Sequence, residues 1–171
     1  MTYLDELDKG MRLLADDPRT LVVGQAVNYK GHCLTRQAAF WDEARRIEMP
    51  VAEEFQTGFA LGLALDGNIP VSVYPRHNFL LCAMSQLVNH IDKWAEMGGG
   101  NPHMILVAVK GSDFPLDPGP QHKAGLSHEF ASMCKSINVV DIIYPHQAVP
   151  AFERAIKEEV VHLITTHGDL M

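Results

Sequence analysis

One stretch of the sequence sets an acid ahead of regularly spaced glycines: Glu53-Glu54-Phe55-Gln56-Thr57-Gly58-Phe59-Ala60-Leu61-Gly62-Leu63. Glu53 opens it, and Gly58 and Gly62 follow at i+5 and i+9. Residues four apart share one helix face. A glycine inside a helix costs about 1 kcal/mol relative to alanine. Two on one face therefore predict the close approach of another backbone, a seam between packed chains. A carboxyl group opening the helix beside such a seam has the setting for proton transfer. The same residues also admit a plainer reading, in which Glu53 complements the helix dipole and the glycine spacing is chance. Glu54 turns about 100° away around the helix and serves a different face.

Two further positions carry possible chemistry. Phe79 opens a long apolar helical stretch, and Pro120-Gln121-His122 lies in a loop after the most apolar strand. Phe79 reads equally well as a core residue, and His122 as a solvated loop histidine. Of the nine histidines, no two sit four apart with an acid between them as in a zinc-protease helix, so no metal site is expected. Cys33, Cys82 and Cys134 are widely spaced and odd in number, which argues against a disulfide framework or a structural zinc. A reducing, cytoplasmic compartment is the natural expectation. The nucleotide-binding patterns GxGxxG and GxxxxGK[ST] are missing. Gly98-Gly99-Gly100 precedes a proline and a strand, not a helix start, and so cradles no phosphate.

The elements that must hold these residues follow from periodicity. Leu4, Leu7, Met11 and Leu14 predict an amphipathic helix ending near Asp17-Pro18. Short apolar runs at Leu21–Val23, Val71–Tyr74, Met104–Val109, Val139–Tyr144 and Val161–Thr165 predict five strands. Helices are expected over about 53–65, 78–97, 126–136 and 147–158, with a loop at 31–37. Strands that alternate with helices and are near-continuous apolar runs predict an α/β fold, a parallel sheet with helices on both faces. One domain is expected over 1–171, an N-terminal helix (1–18) followed by an α/β core (19–168).

Bulk composition narrows the function. The 171 residues are 47% hydrophobic, enough for a buried core. A net charge of −7, with no Lys/Arg cluster, makes nucleic acid an improbable partner. No apolar run approaches the length of a membrane span. The start, Met1-Thr2-Tyr3-Leu4-Asp5-Glu6, has no basic segment leading into an apolar one, so no signal peptide is expected.

The pattern Glu, four residues, Gly, apolar, two residues, Gly, apolar resembles the motif of the pyrimidine-binding domains of thiamine-diphosphate enzymes. Here it reads Glu53, Gly58-Phe59, Gly62-Leu63. Pro50-Val51-Ala52 ahead of it is similar to the lead-in of the beta subunits of 2-oxoacid dehydrogenases, within the transketolase-like family. Asn78-Phe79 with the later Gln86-Leu87-Val88-Asn89 resembles the segment whose phenylalanine packs on the aminopyrimidine, and Gln121-His122 resembles the family's Gln-His pair. The likeness runs from about Leu21 to Gly168.

The resemblance implies a thiamine-diphosphate-binding fold that carries half of an active site. It implies that Glu53 hydrogen-bonds the aminopyrimidine, that Phe79 and Gln121 contact the cofactor, and that His122 serves the 2-oxo acid end. It implies that Gly58 and Gly62 pack at a subunit contact. The family's diphosphate motif, Gly-Asp-Gly with a distal Asn pair, has no counterpart here, since Asp66-Gly67-Asn68 ends a helix. Magnesium and the diphosphate are therefore expected on a partner, an alpha-type subunit, in a dimer or hetero-tetramer. The dehydrogenase beta subunits carry a second, C-terminal domain that lies beyond the end of this sequence, so a full dehydrogenase complex is not the expectation. Lys123 stands where the family has a small polar residue, and offers a positive charge towards an anionic substrate or towards water. The alternative is a scaffold subunit that kept the fold without turnover.

Overall fold

The computed structural model describes residues 2–29, 34–114 and 117–171. Among the described residues, six parallel strands form one sheet in the order β2-β1-β3-β4-β6-β5. They are β1 (Thr20–Gly24), β2 (Arg46–Glu48), β3 (Ile69–Tyr74), β4 (Met104–Lys110), β5 (Ile137–Asp141) and β6 (Val161–His167). Helices α1 (Tyr3–Asp16) and α5 (Ala148–Lys157) cover one face, together with the short α2 (Leu34–Gln37). Helix α3 (Glu53–Leu65), the helical segment 77–91 and α4 (Ser127–Met133) cover the other. This is the α/β architecture that the apolar strands predict. Each face has its own core. Val71, Val73, Ile105 and Val107 point to α1 and α5, while Tyr74, Met104, Leu106 and Leu163 point to α3 and α4.

Four expectations need correction. The loop expected over 31–37 contains a helical turn at Leu34–Gln37; Cys33, with 30–32, lies outside the described residues. Strand β2 has no apolar run to announce it, because it is a three-residue edge strand paired on one side only. Strand β5 stops at Asp141, leaving Ile143 and Tyr144 exposed beyond the sheet. The helix expected over 78–97 is not a single α-helix. It winds as a 3-10 stretch (His77–Ala83), then a π-helical stretch (Gln86–Ile91), then turns. The Asp92 N–H donates to the Leu87 carbonyl at 2.9 Å, five residues back. The wide turn lets neighbouring Ile91 and Asp92 both be buried, with the Asp92 carboxylate accepting from the Ser136 N–H at 2.6 Å. A bonded acceptor is what makes a buried carboxylate tolerable there.

Candidate functional site

The chain leaves β1 towards one edge of the sheet and β3 towards the other. A parallel sheet opens a crevice at the carboxyl ends of two such strands. Strand β1 ends at Gly24, where a β-carbon would lie 2.8 Å from the Val73 carbonyl oxygen, so only glycine fits. The loop that follows is tightly held. Ala26 takes a left-handed backbone (φ 59°). The Glu48 carboxylate at the end of β2 accepts from the Ala26 N–H at 2.6 Å and the Asn28 N–H at 3.0 Å. Non-glycine residues adopt that backbone when their surroundings impose it.

Glu53, the first residue of α3, faces this loop. It is 7% exposed, whereas Glu54 stands in solvent. The side-chain amide of Gln25 donates to Glu53 Oε1 at 2.9 Å. Among the described residues, no group hydrogen-bonds the second carboxylate oxygen, Oε2. Gln25 was not among the residues singled out by sequence. A lone glutamine after a strand carries no motif, and its role exists only because the β1 loop meets the start of α3.

Behind Glu53 lies a buried chain of hydrogen bonds with one direction. The Thr57 hydroxyl donates to the Glu53 carbonyl at 2.7 Å, so its oxygen accepts from the Tyr74 hydroxyl at 2.6 Å. The Tyr74 oxygen accepts from Ser72 at 3.1 Å, and Ser72 from the Gln56 amide at 2.9 Å. Burial pushes the Tyr74 phenol up to about 12. Helix α3 is thereby tied to β3 beneath the carboxyl group it presents.

In front of Glu53 lies an open cleft of about 730 Å³, lined by Glu53, Glu54, Phe55, Gly58, Cys82 and Gln86 among others. A β-carbon on Gly58 would meet the Gln86 side chain at 3.3 Å, so the close neighbour of this glycine lies within the same chain. Gly62 is exposed, and among the described residues nothing lies within 4 Å of its missing β-carbon. Val51 and Phe55 project from the same end of α3 at 81% and 57% exposure.

Phe79 and His122 meet each other. Their rings lie edge to face, with centroids 5.4 Å apart and planes at 75°. Phe79 is half-buried, not a core residue. The Ala124 N–H donates to the Asn78 side chain at 3.1 Å, which ties the two turns together. His122 Nδ1 is buried without a partner among the described residues. Gln121 is exposed. Neither Phe79, Gln121 nor His122 lines the Glu53 cleft, so the structure forms two neighbouring groups at the carboxyl ends of the strands. Lys123 spends its charge locally, paired with Asp113 and with Asp117 at 2.7 Å.

Among the described residues, no three His, Cys, Asp or Glu side chains group as a metal site, and no helix is long and apolar enough to cross a membrane. A buried carboxyl with one free oxygen at a cleft suits a nitrogen heterocycle, and the half-buried Phe79 ring offers an apolar face. These residues fit the pyrimidine half of a cofactor.

The sequence model of the family described as transketolase, pyrimidine binding domain, matches residues 9–171. The chain belongs to this family. The beta subunit of the pyruvate dehydrogenase E1 component from Chaetosphaeridium globosum is 27% identical over 158 residues, covering 91% of this chain and 47% of that protein. The mitochondrial E1 beta subunit of Saccharomyces cerevisiae is 27% identical over 155 residues, covering 88% and 41%. This pyrimidine-binding chain thus spans about half the length of the curated relatives it matches. A solved structure described as a split-gene transketolase, inactive beta4 tetramer, shares the fold with a TM-score of 0.74. It is 17% identical and covers 99% of this chain and 52% of that one.

Proposed function

We propose that this chain, as one pyrimidine-binding domain over 1–171, is a subunit of a split thiamine-diphosphate-dependent enzyme acting on a 2-oxo acid. The observation that carries the reading is Glu53, buried at the strand-end crevice with one oxygen tied and the other open to a cleft. When bound, thiamine diphosphate supplies the carbon nucleophile and electron sink for decarboxylation. Glu53 binds the aminopyrimidine through its free oxygen and holds a proton there. The Thr57–Tyr74–Ser72–Gln56 chain fixes the turn of helix that carries it. Phe79 gives the ring an apolar contact, and Gln121 completes the polar side. His122, oriented by Phe79, hydrogen-bonds the 2-oxo acid end. The diphosphate and magnesium belong to an alpha-type partner that meets the exposed α3 face near Gly58 and Gly62, in a dimer or hetero-tetramer. The free thiols of Cys82 and Cys134 suit a reducing cytoplasm.

Calorimetry tests this reading. Thiamine diphosphate with magnesium is titrated into the chain alone, and into the chain mixed with a diphosphate-binding alpha-type subunit. Binding only in the mixture, lost with turnover in Glu53→Gln, is expected. No binding in either sample refutes the split enzyme and leaves a scaffold subunit. Glu54→Gln, one residue on at the exposed rim of the same cleft, should have a much smaller effect.

A further inference from the structure

We infer that Gln25 is a positioning residue that dedicates one oxygen of Glu53 to the protein and leaves one for the ligand. The inference rests on the proposed role of Glu53 and adds a specificity device to it. Gln25 Nε2 supplies the one hydrogen bond to the Glu53 carboxyl group among the described residues. A glutamine amide has both a donor and an acceptor end. It can donate to a carboxylate and, turned over, accept from a carboxylic acid. Gln25 thus stays bonded to Oε1 through a change of protonation at Glu53, and the carboxyl plane does not rotate when a proton moves.

The loop is built for that purpose. Three consecutive features fix where the Gln25 side chain leaves the backbone. They are the Gly24 approach to Val73, the left-handed Ala26 and the Glu48 clamp on the Ala26 and Asn28 amides. With Oε1 taken, Glu53 presents a single oxygen to the cleft. A lone ring nitrogen accepts the proton held on that oxygen. A group offering two parallel N–H donors, such as a guanidinium, would need both oxygens and is disfavoured. The other titratable groups around the pair are Tyr74 behind it, Glu48 clamped under the loop, and Glu54 and Cys82 on the cleft wall.

Two measurements test this, and the first uses no cofactor. In the chain by itself, the side-chain amide resonances of Gln25 should follow pH as Glu53 titrates, and the dependence should vanish in Glu53→Gln. Resonances unmoved while Glu53 titrates would overturn the contact, whatever becomes of the proposed function. The second uses the chain with a diphosphate-binding subunit, thiamine diphosphate and magnesium. Gln25→Glu keeps the shape of the side chain and replaces the amide donor by a carboxylate. At neutral pH it should weaken cofactor binding about tenfold, the loss of one charge-assisted hydrogen bond. Lowering the pH should restore binding, because two adjacent carboxyls come to share a proton. Gln25→Ala should lose as much without recovering. Gln25→Glu binding like the wild type at neutral pH, or failing to recover, would overturn the donor role. Wild-type chain that binds no cofactor in the mixture would overturn the proposed function and the ligand half of this inference, while the resonance measurement still decides the Gln25–Glu53 contact.

Discussion

The hydroxyls of Thr57 and Tyr74 lie 2.6 Å apart in the core, one on α3 and one on β3, directly behind the carbonyl of Glu53. Tyr74→Phe keeps the ring and strands two partners, the Thr57 oxygen and the Ser72 hydroxyl. A buried polar group left unpaired costs about 1–3 kcal/mol, and urea unfolding should show a loss of that size. The tyrosine has its own alkaline signature. Its folded value of about 12 lies above the ordinary 10, so the unfolded chain gives up this proton first. Stability should fall as pH rises from 10 towards 12, and Tyr74→Phe should remove that part of the fall. An unchanged alkaline profile in the variant would refute the assignment.

Gly62 separates chain stability from assembly. Among the described residues, nothing opposes a methyl group there. Gly62→Ala should therefore stabilise the chain alone by up to about 1 kcal/mol through helix propensity. If α3 packs against a partner, the same substitution should weaken association, read by sedimentation of the mixture. Association at wild-type strength would remove Gly62 from the seam.

His162 makes the fold sensitive to acid. It is fully buried on β6, and neither ring nitrogen has a hydrogen-bond partner among the described residues. Burial depresses it to about 4, from an ordinary 6.5. Below pH 6.5 the unfolded chain takes up a proton that the native chain refuses, so stability falls as pH drops towards 4. Each such histidine removes about 2 kcal/mol between pH 7 and pH 5. His77, also depressed to about 4 by burial, adds its own share. His162→Leu should lose correspondingly less over that interval in urea unfolding at a series of pH values. Equal losses in variant and wild type would contradict this.

Phe79 and His122 should divide their effects. An edge-to-face pair contributes about 1 kcal/mol, so Phe79→Ala should loosen His122 as well as remove an apolar contact, weakening cofactor binding in the mixture. His122→Gln should leave cofactor affinity nearly intact and cut turnover by about a hundredfold or more, the usual scale of lost acid–base assistance. Full turnover in His122→Gln would remove it from the substrate end.

Much of the fold was legible in the chain itself. The bounds of α3, from Glu53 to the turn at Asp66-Gly67, follow from helical spacing and a terminating glycine. Strands β1, β3 and β4 are near-continuous apolar runs, and β6 is one broken by His162, because a parallel sheet buries both faces. Strand β2 and the winding of 77–91 were hidden for opposite reasons. An edge strand needs little apolar patterning, and a π-helical turn preserves a helix-like pattern while changing which carbonyl each amide meets.

The candidate site divides along the same line. Glu53 and the glycine spacing are local, so the order of residues determined them, and the motif and family could be read directly. The contacts of Glu53 are not local. Gln25 stands 28 residues away and belongs to no motif, and Tyr74, which reaches Glu53 through Thr57, stands 21 away. Only the parallel crossovers bring the ends of β1, β2 and β3 to the start of one helix. Which oxygen of a carboxyl is tied and which stays free is set by that convergence, because a hydrogen bond depends on ångström distances and not on position along a chain.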